Sequence, residues 1–144
     1  MRRRRLVFGS AVLASPIFNV FGQSTAATFR IGMLSGGDLR GTPNWDAFYA
    51  GMRNLGYVEG SNVTYDRLAA DGEPLKLTQM ARDLVAHRPH VIVTTGASEA
   101  LAAHSATSVI PIVMMFGGES VGAGLARTLA RPGGNVTGLT RFIP

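Results

Sequence analysis

Leu77 to Phe116 reads LTQMARDLVAHRPHVIVTTGASEALAAHSATSVIPIVMMF, and the order of patterns inside it decides the fold. Leu77, Met80, Ala81, Leu84 and Val85 recur at helical spacing and form one apolar stripe, which runs up to His87-Arg88-Pro89-His90. VIVTTG, from Val91, is a short apolar run closed by Gly96, the form of a buried strand. ASEALAAHSAT is an alanine-rich helix, and VIPIVMMF, Val109 to Phe116, is a further apolar, partly β-branched strand. Strands that alternate with helices pair in parallel through right-handed crossovers, so an open α/β sheet with helices on both faces is expected.

The same alternation extends outward in both directions. TFRIGML is a first strand stopped by SGGD at Ser35 to Asp38, and NVTYDRLAA, Asn62 to Ala70, is a second. Between them Asn44 caps a helix whose Phe48, Met52 and Leu55 share a face, and Gly56 ends it. Glu73-Pro74 opens the helix of the Leu77 stripe, since proline is accepted in a first turn. Beyond Phe116, SVGAGLARTLA, Ser120 to Ala130, reads as a fourth helix, and RPGGNVTGL turns into a fifth strand.

Open parallel sheets bind ligands beyond the carboxyl ends of their strands. The loops expected there are SGGD after strand one, TTGAS after strand three and FGGES after strand four, all glycine-rich with hydroxyl groups beside the glycines. LGYVEGSN and HRPH fall at the opposite edge and serve turning.

The chain of 144 residues is 46% hydrophobic and 16% charged, enough for one globular domain with a core. Its formal charge of +5 depends on Arg2, Arg3, Arg4 and Arg5; without them ten basic residues face nine acidic ones. No basic face remains to follow phosphates, so nucleic acid is not an expected partner. Those arginines precede the apolar stretch Leu6 to Gly22 and the small residues Ser24 to Ala27, the layout of an export signal over residues 1–27. The stretch is shorter than a membrane span and is broken by Pro16, and the arginine run leaves both the general and the twin-arginine export routes open. The mature portion, 28–144, is expected to be soluble and periplasmic. With no cysteine there is no disulfide frame, thiolate metal site or lipid-modified cysteine.

Gly118-Glu119-Ser120-Val121-Gly122 matches the spacing of a serine nucleophile elbow. That chemistry needs a histidine base and an acid, which in the hydrolase fold follow the serine, and the 24 residues after Ser120 hold no His, Asp or Glu. Ser120 otherwise serves the free N–H groups of a helix start, or belongs to a loop whose bare amides hold a small anion. His87 and His90 lack helical spacing and a neighbouring carboxylate, so no metal site is expected. GAGLAR, Gly122 to Arg127, lacks the third glycine of a dinucleotide fingerprint, and no cofactor is expected. Asn62-Val63-Thr64 and Asn135-Val136-Thr137 are glycosylation sequons by pattern that strand openings explain better. Trp45, beside SGGD, is placed either to stack on a ligand or to pack half-buried.

IGMLSGG, LGYVEGSNV, ARDLVAHRPHVIVTTGA, IPIVMMFGG and VGAGLARTLARPGGNVTGLT resemble, in order and spacing, the N-terminal lobe of ABC-transporter substrate-binding proteins of the type I periplasmic-binding fold. The resemblance runs from Phe29 to Thr140. It implies a doubly wound sheet of about five strands in the order 2-1-3-4-5, and two lobes that trap a small organic solute for an ABC permease in the membrane. The ligand-facing positions it implies are Ser35, Gly36 and Gly37, then Thr95, Gly96, Ala97 and Ser98, then Phe116, Gly117 and Gly118. Ser98 and the amides after Gly96 are expected to receive a carboxylate, as of an amino acid, with Phe116 or Trp45 against its apolar part. No bond is made or broken in this reading. At the elbow-like site the family reads Gly-Gly-Asp-Pro, where this chain has Glu119-Ser120. Such proteins have a second lobe, which would complete the site, so the chain is expected to be a fragment or a truncated descendant. A sensory or interaction module built on the same lobe is the alternative, and an esterase using Ser120 a remoter one.

Overall fold

The structure, a computed structural model, describes residues 28–117, 124–125 and 133–139. Five strands, β1 (Phe29–Ser35), β2 (Val63–Ala69), β3 (Val91–Thr94), β4 (Ile112–Met114) and β5 (Val136–Gly138), form one sheet in the order β2-β1-β3-β4-β5. Every pairing is parallel. Among the described residues three helices lie between the strands: α1 (Pro43–Asn54), α2 (Leu77–Ala86), which follows a single 3₁₀ turn at Pro74–Lys76, and α3 (Ala97–Ala106). Apart from Gly124 and Leu125, the expected helix over Ser120 to Ala130 lies outside the described residues.

The two faces of the sheet carry separate cores. Ile31, Met33, Val63 and Val93 point towards α1 and meet Trp45 and Phe48, whereas Leu34, Ile92, Ile112 and Val136 meet Leu77, Ala81 and Leu84 of α2 and Ala100 and Ala103 of α3. The period-two alternation along β1 makes this division, with Met33 on one side and Leu34 on the other. Gly32 lies under α2: a Cβ there would fall 2.8 Å from Leu84 Cγ, so the missing side chain is what lets the leucine sit against the sheet.

Local signals account for most element ends. After α1, Gly56 takes a positive φ, its N–H donates to the Arg53 carbonyl and the Tyr57 N–H to that of Met52, the paired bonds of a Schellman ending. The start of α1 differs from the expectation. Thr42, not Asn44, is the cap residue, and Pro43 occupies the first helical position, where its missing N–H costs nothing. β4 is also shorter than the apolar run suggested. Thr107 Oγ1 accepts from the Val109 and Ile110 N–H groups and holds them in a turn, so Val109 is 83% exposed and the strand begins only after Pro111.

The edge that holds the strand starts is fastened by polar side chains. Asn62 donates to the Gly56 carbonyl and accepts from the Val58 N–H, while Asn135 donates to the carbonyls of Thr107 and Ile110. Both asparagines of the sequon patterns therefore close turns before strands. His90 Nδ1 accepts the Arg30 N–H at 3.0 Å, and His87 Nδ1 lies 3.4 Å from Asp66. His90 fastens the start of β1 and His87 lies beside the middle of β2, so neither reaches the carboxyl edge.

Candidate functional site

In a sheet ordered 2-1-3-4-5 the chain leaves β1 for one face, through α1, and leaves β3 for the other, through α3. The loops after these two strands part at the carboxyl edge and open a crevice there, the position where doubly wound sheets take ligands. Ser35, Gly36 and Gly37 form one lip, and Thr95, Gly96, Ala97 and Ser98 the other.

The two lips are joined by direct bonds. Thr95 Oγ1 donates to Ser35 Oγ at 2.9 Å, and Ser35 Oγ also accepts the Gly37 N–H at 3.2 Å. Ser35 is buried and Gly37 exposed, so the serine is a strut beneath the loop and the glycine is at its surface. The third loop is tied in by the Phe116 N–H, which donates to the Thr95 carbonyl at 2.9 Å. Phe116 is 46% exposed and stands over this edge, whereas Gly117 is buried and its N–H donates to the Leu139 carbonyl at 2.7 Å. Nine of the ten expected site residues thus share one continuous rim, while Gly118, like Ser120, lies outside the described residues.

Two features of the rim were not anticipated. Glu99, in the first turn of α3, reaches across the crevice, and its Oε1 accepts the Gly36 N–H at 2.8 Å. Its other oxygen lies 3.3 Å from the point where a Cβ on Gly96 would stand. A carboxylate of the chain itself thus stands beside the start of α3, where the sequence reading places an incoming one. An acidic residue in the first turn of a helix that opens on the ligand edge is the sequence signal that marks it. Trp45 is the second, and it corrects the expectation of a stacking face. It lies on the sheet-facing side of α1, is 2% exposed and packs edge-on against Phe48, so it presents no face for a ligand to stack on.

A groove of about 540 Å³ lies elsewhere, between α1 and the β2 edge, walled in part by Tyr49, Tyr65 and Arg67. Arg67 Nη1 and Nη2 bind both Glu59 oxygens at 2.7 and 2.8 Å, and its guanidinium lies over the Tyr49 and Tyr65 rings at 5.1 and 4.9 Å. The Arg67 hydrogen bonds hold the Glu59 carboxyl below its usual range, and the same bonds hold Arg67 above its own. Burial, followed by the charge of Glu59, raises Tyr65. With its central cation matched to a carboxylate and two rings, this groove works as a clasp on the edge strand; it contains none of the expected site residues. Among the described residues no group of three or more His, Asp or Glu side chains is gathered for a metal ion.

A family model described as ABC transporter substrate binding protein matches residues 43–144. A tyrosine-binding protein of Clostridioides difficile (strain R20291) is 31% identical over 96 residues, which are 67% of this chain and 28% of that protein. Among solved structures, a domain from Streptococcus pneumonia in complex with L-Trp is 30% identical with a TM-score of 0.68; the match covers 79% of this chain and 39% of that one. A conserved domain protein from Vibrio cholerae is 36% identical with a TM-score of 0.73, over 81% of this chain and 40% of its own. A ligand-free, open substrate-binding protein with adhesive properties from Clostridium difficile gives 28% and 0.72, with the same two coverages. The chain therefore spans well under half the length of these relatives.

Proposed function

Because this chain belongs to the family of ABC transporter substrate-binding proteins, we propose that it forms one wall of a reversible solute site. In this reading its carboxyl-edge loops receive a small organic solute of the amino-acid class for delivery to an ABC permease. The observation that carries the proposal is the joining of the loops after β1, β3 and β4 into one rim at the topological switch point. Gly36, Gly37 and Gly96 let a solute approach the backbone, Ser98 is an exposed hydroxyl at the start of α3, and Phe116 offers a half-exposed ring for an apolar portion. Gly118, outside the described residues, belongs to the same proposed set. The relatives named for tyrosine and complexed with L-Trp support an aromatic amino acid as the first solute to test.

The facing wall comes from a second lobe, and closure of the two lobes around the solute supplies most of the affinity. Residues 1–27 act as the export signal and direct the product to the periplasm, where it meets the permease. Binding involves no covalent step, and neither a cofactor nor a metal takes part. An open rim rather than an enclosed cavity is what a single wall presents, which is why the paired groove beside β2 is not the preferred site.

The test is a titration of the ¹⁵N-labelled chain with L-tyrosine, L-tryptophan and L-phenylalanine, read at the amides of Gly36, Gly37 and Gly96. Shifts gathered at these amides, and lost in the Ser98→Ala, Gly96→Val double variant, are expected. Shifts gathered instead at His87, His90 and Asn62, on the opposite edge, would end the proposal.

A further inference from the structure

We infer that Glu99 makes the start of α3 an anionic recognition point, so that the solute group docking there is a protonated amine and not a carboxylate. The inference rests on the solute site proposed above and specifies the chemistry of the group that meets it.

The position of the side chain is the first argument. Glutamate at the third residue of a helix commonly turns back to the N–H of its own cap residue. Here, among the described residues, the hydrogen bond of Glu99 goes to Gly36, 63 positions away on the opposite lip. The carboxylate is thereby suspended between the loops that define the crevice. It is only half-buried, so it is within reach of a solute.

The second argument is charge. The partial positive charge at the start of α3 and the Gly36 N–H are the two features that would draw an external carboxylate; Glu99 stands in the first turn of that helix and already takes the Gly36 N–H. The loop segments Ser35 to Asp38, Thr95 to Glu99 and Met115 to Gly117 contain two acids, Asp38 and Glu99, and no lysine or arginine. Arg40, the nearest cation in sequence, belongs to the groove beside β2, where it acts on Glu59. Among the described loop segments a second carboxylate would meet like charge, whereas an ammonium would meet its counter-ion.

The third is valence and order. A carboxylate has about four acceptor positions, and one N–H from Gly36 leaves room for an ammonium with its three donors. Because the Gly36 bond and the helix field hold the group in place, little rotamer freedom is left to lose when a solute arrives. An amino acid would then point its amine at α3 and its carboxylate away from it, the reverse of the orientation the sequence suggested.

Three probes that share one ring separate the possibilities: tyramine, L-tyrosine and 3-(4-hydroxyphenyl)propionate, each titrated into the 144-residue chain with the Gly36 and Gly96 amides as the readout. Tyramine and tyrosine are expected to bind at least tenfold more tightly than the propionate. Glu99→Gln keeps an oxygen for the Gly36 N–H but loses the charge, and is expected to weaken tyramine at least tenfold while leaving the propionate unchanged or stronger. Equal binding of propionate and tyramine, or tyramine affinity within twofold in Glu99→Gln, would overturn the role of Glu99 and leave the rim as the solute site. If all three probes perturb only amides away from the rim, the site itself is wrong and this inference falls with it.

Discussion

At Gly138 the backbone of β5 lies close against β4: a Cβ there would press on the Met114 carbonyl oxygen and stand 2.9 Å from Met114 Cβ. Backbone cannot retreat as the end of a flexible side chain can, so Gly138→Ala is expected to cost about 1–3 kcal/mol, read as a lower urea midpoint at unchanged m. Gly37, with nothing within 4 Å of the corresponding point, is the control, and Gly37→Ala should leave the midpoint where it is. The two residues are both glycines beside strand ends, and the sequence does not distinguish them. Packing between β4 and β5 makes one indispensable, while the other remains free for a solute. Glu99 shows the same limit from the functional side. Its presence in the first turn of a helix is legible, but its bond to Gly36 is not.

At the scale of elements, β2 is an outer strand of the described sheet, and the clasp of Arg67 between Tyr49, Tyr65 and Glu59 fastens it to α1 and to the turn before it. The folded state holds Glu59 below its unfolded value, chiefly through the Arg67 hydrogen bonds. A depressed carboxyl contributes stability that is present above the unfolded pKa and is lost as pH falls through the lower, folded one. Denaturant midpoints of the wild type should therefore hold above about pH 4.5 and fall below it. Glu59→Gln should lower the midpoint at pH 7 and flatten that acid limb; parallel curves for the two proteins would remove Glu59 as its source. Glu59 is half exposed, so solvent screens the pair and the effect on the midpoint should be modest. The elements themselves were largely legible, because helix stripes and glycine stops are local signals. The exceptions are the cap of α1, where Pro43 starts the helix ahead of Asn44, and the late start of β4, where the Thr107 hydroxyl overrides an apolar run that read straight through.

The whole molecule has one tryptophan, and it is a core residue on the α1 face of the sheet. Its emission should be blue-shifted and shielded from acrylamide in the folded chain, should move to the red in one step on unfolding, and should change little when a solute binds at the rim. Strong quenching of Trp45 by a solute would place binding on the α1 face instead. The sequence by itself determined the class of the molecule: apolar runs alternating with apolar stripes leave an open parallel sheet as the way to bury both faces, and the order 2-1-3-4-5 came with the family resemblance. It also pointed to the three loops, since the carboxyl edge of such a sheet follows from chain direction alone. What only the tertiary structure decided is which groups meet at that edge. Glu99 and Gly36 are 63 residues apart and become neighbours because β1 and β3 pair side by side, and Trp45 is withdrawn because α1 packs that face of itself against the sheet. Periodicity reports the face of an element that is buried; contacts between elements depend on register and packing, which leave no local trace in the chain.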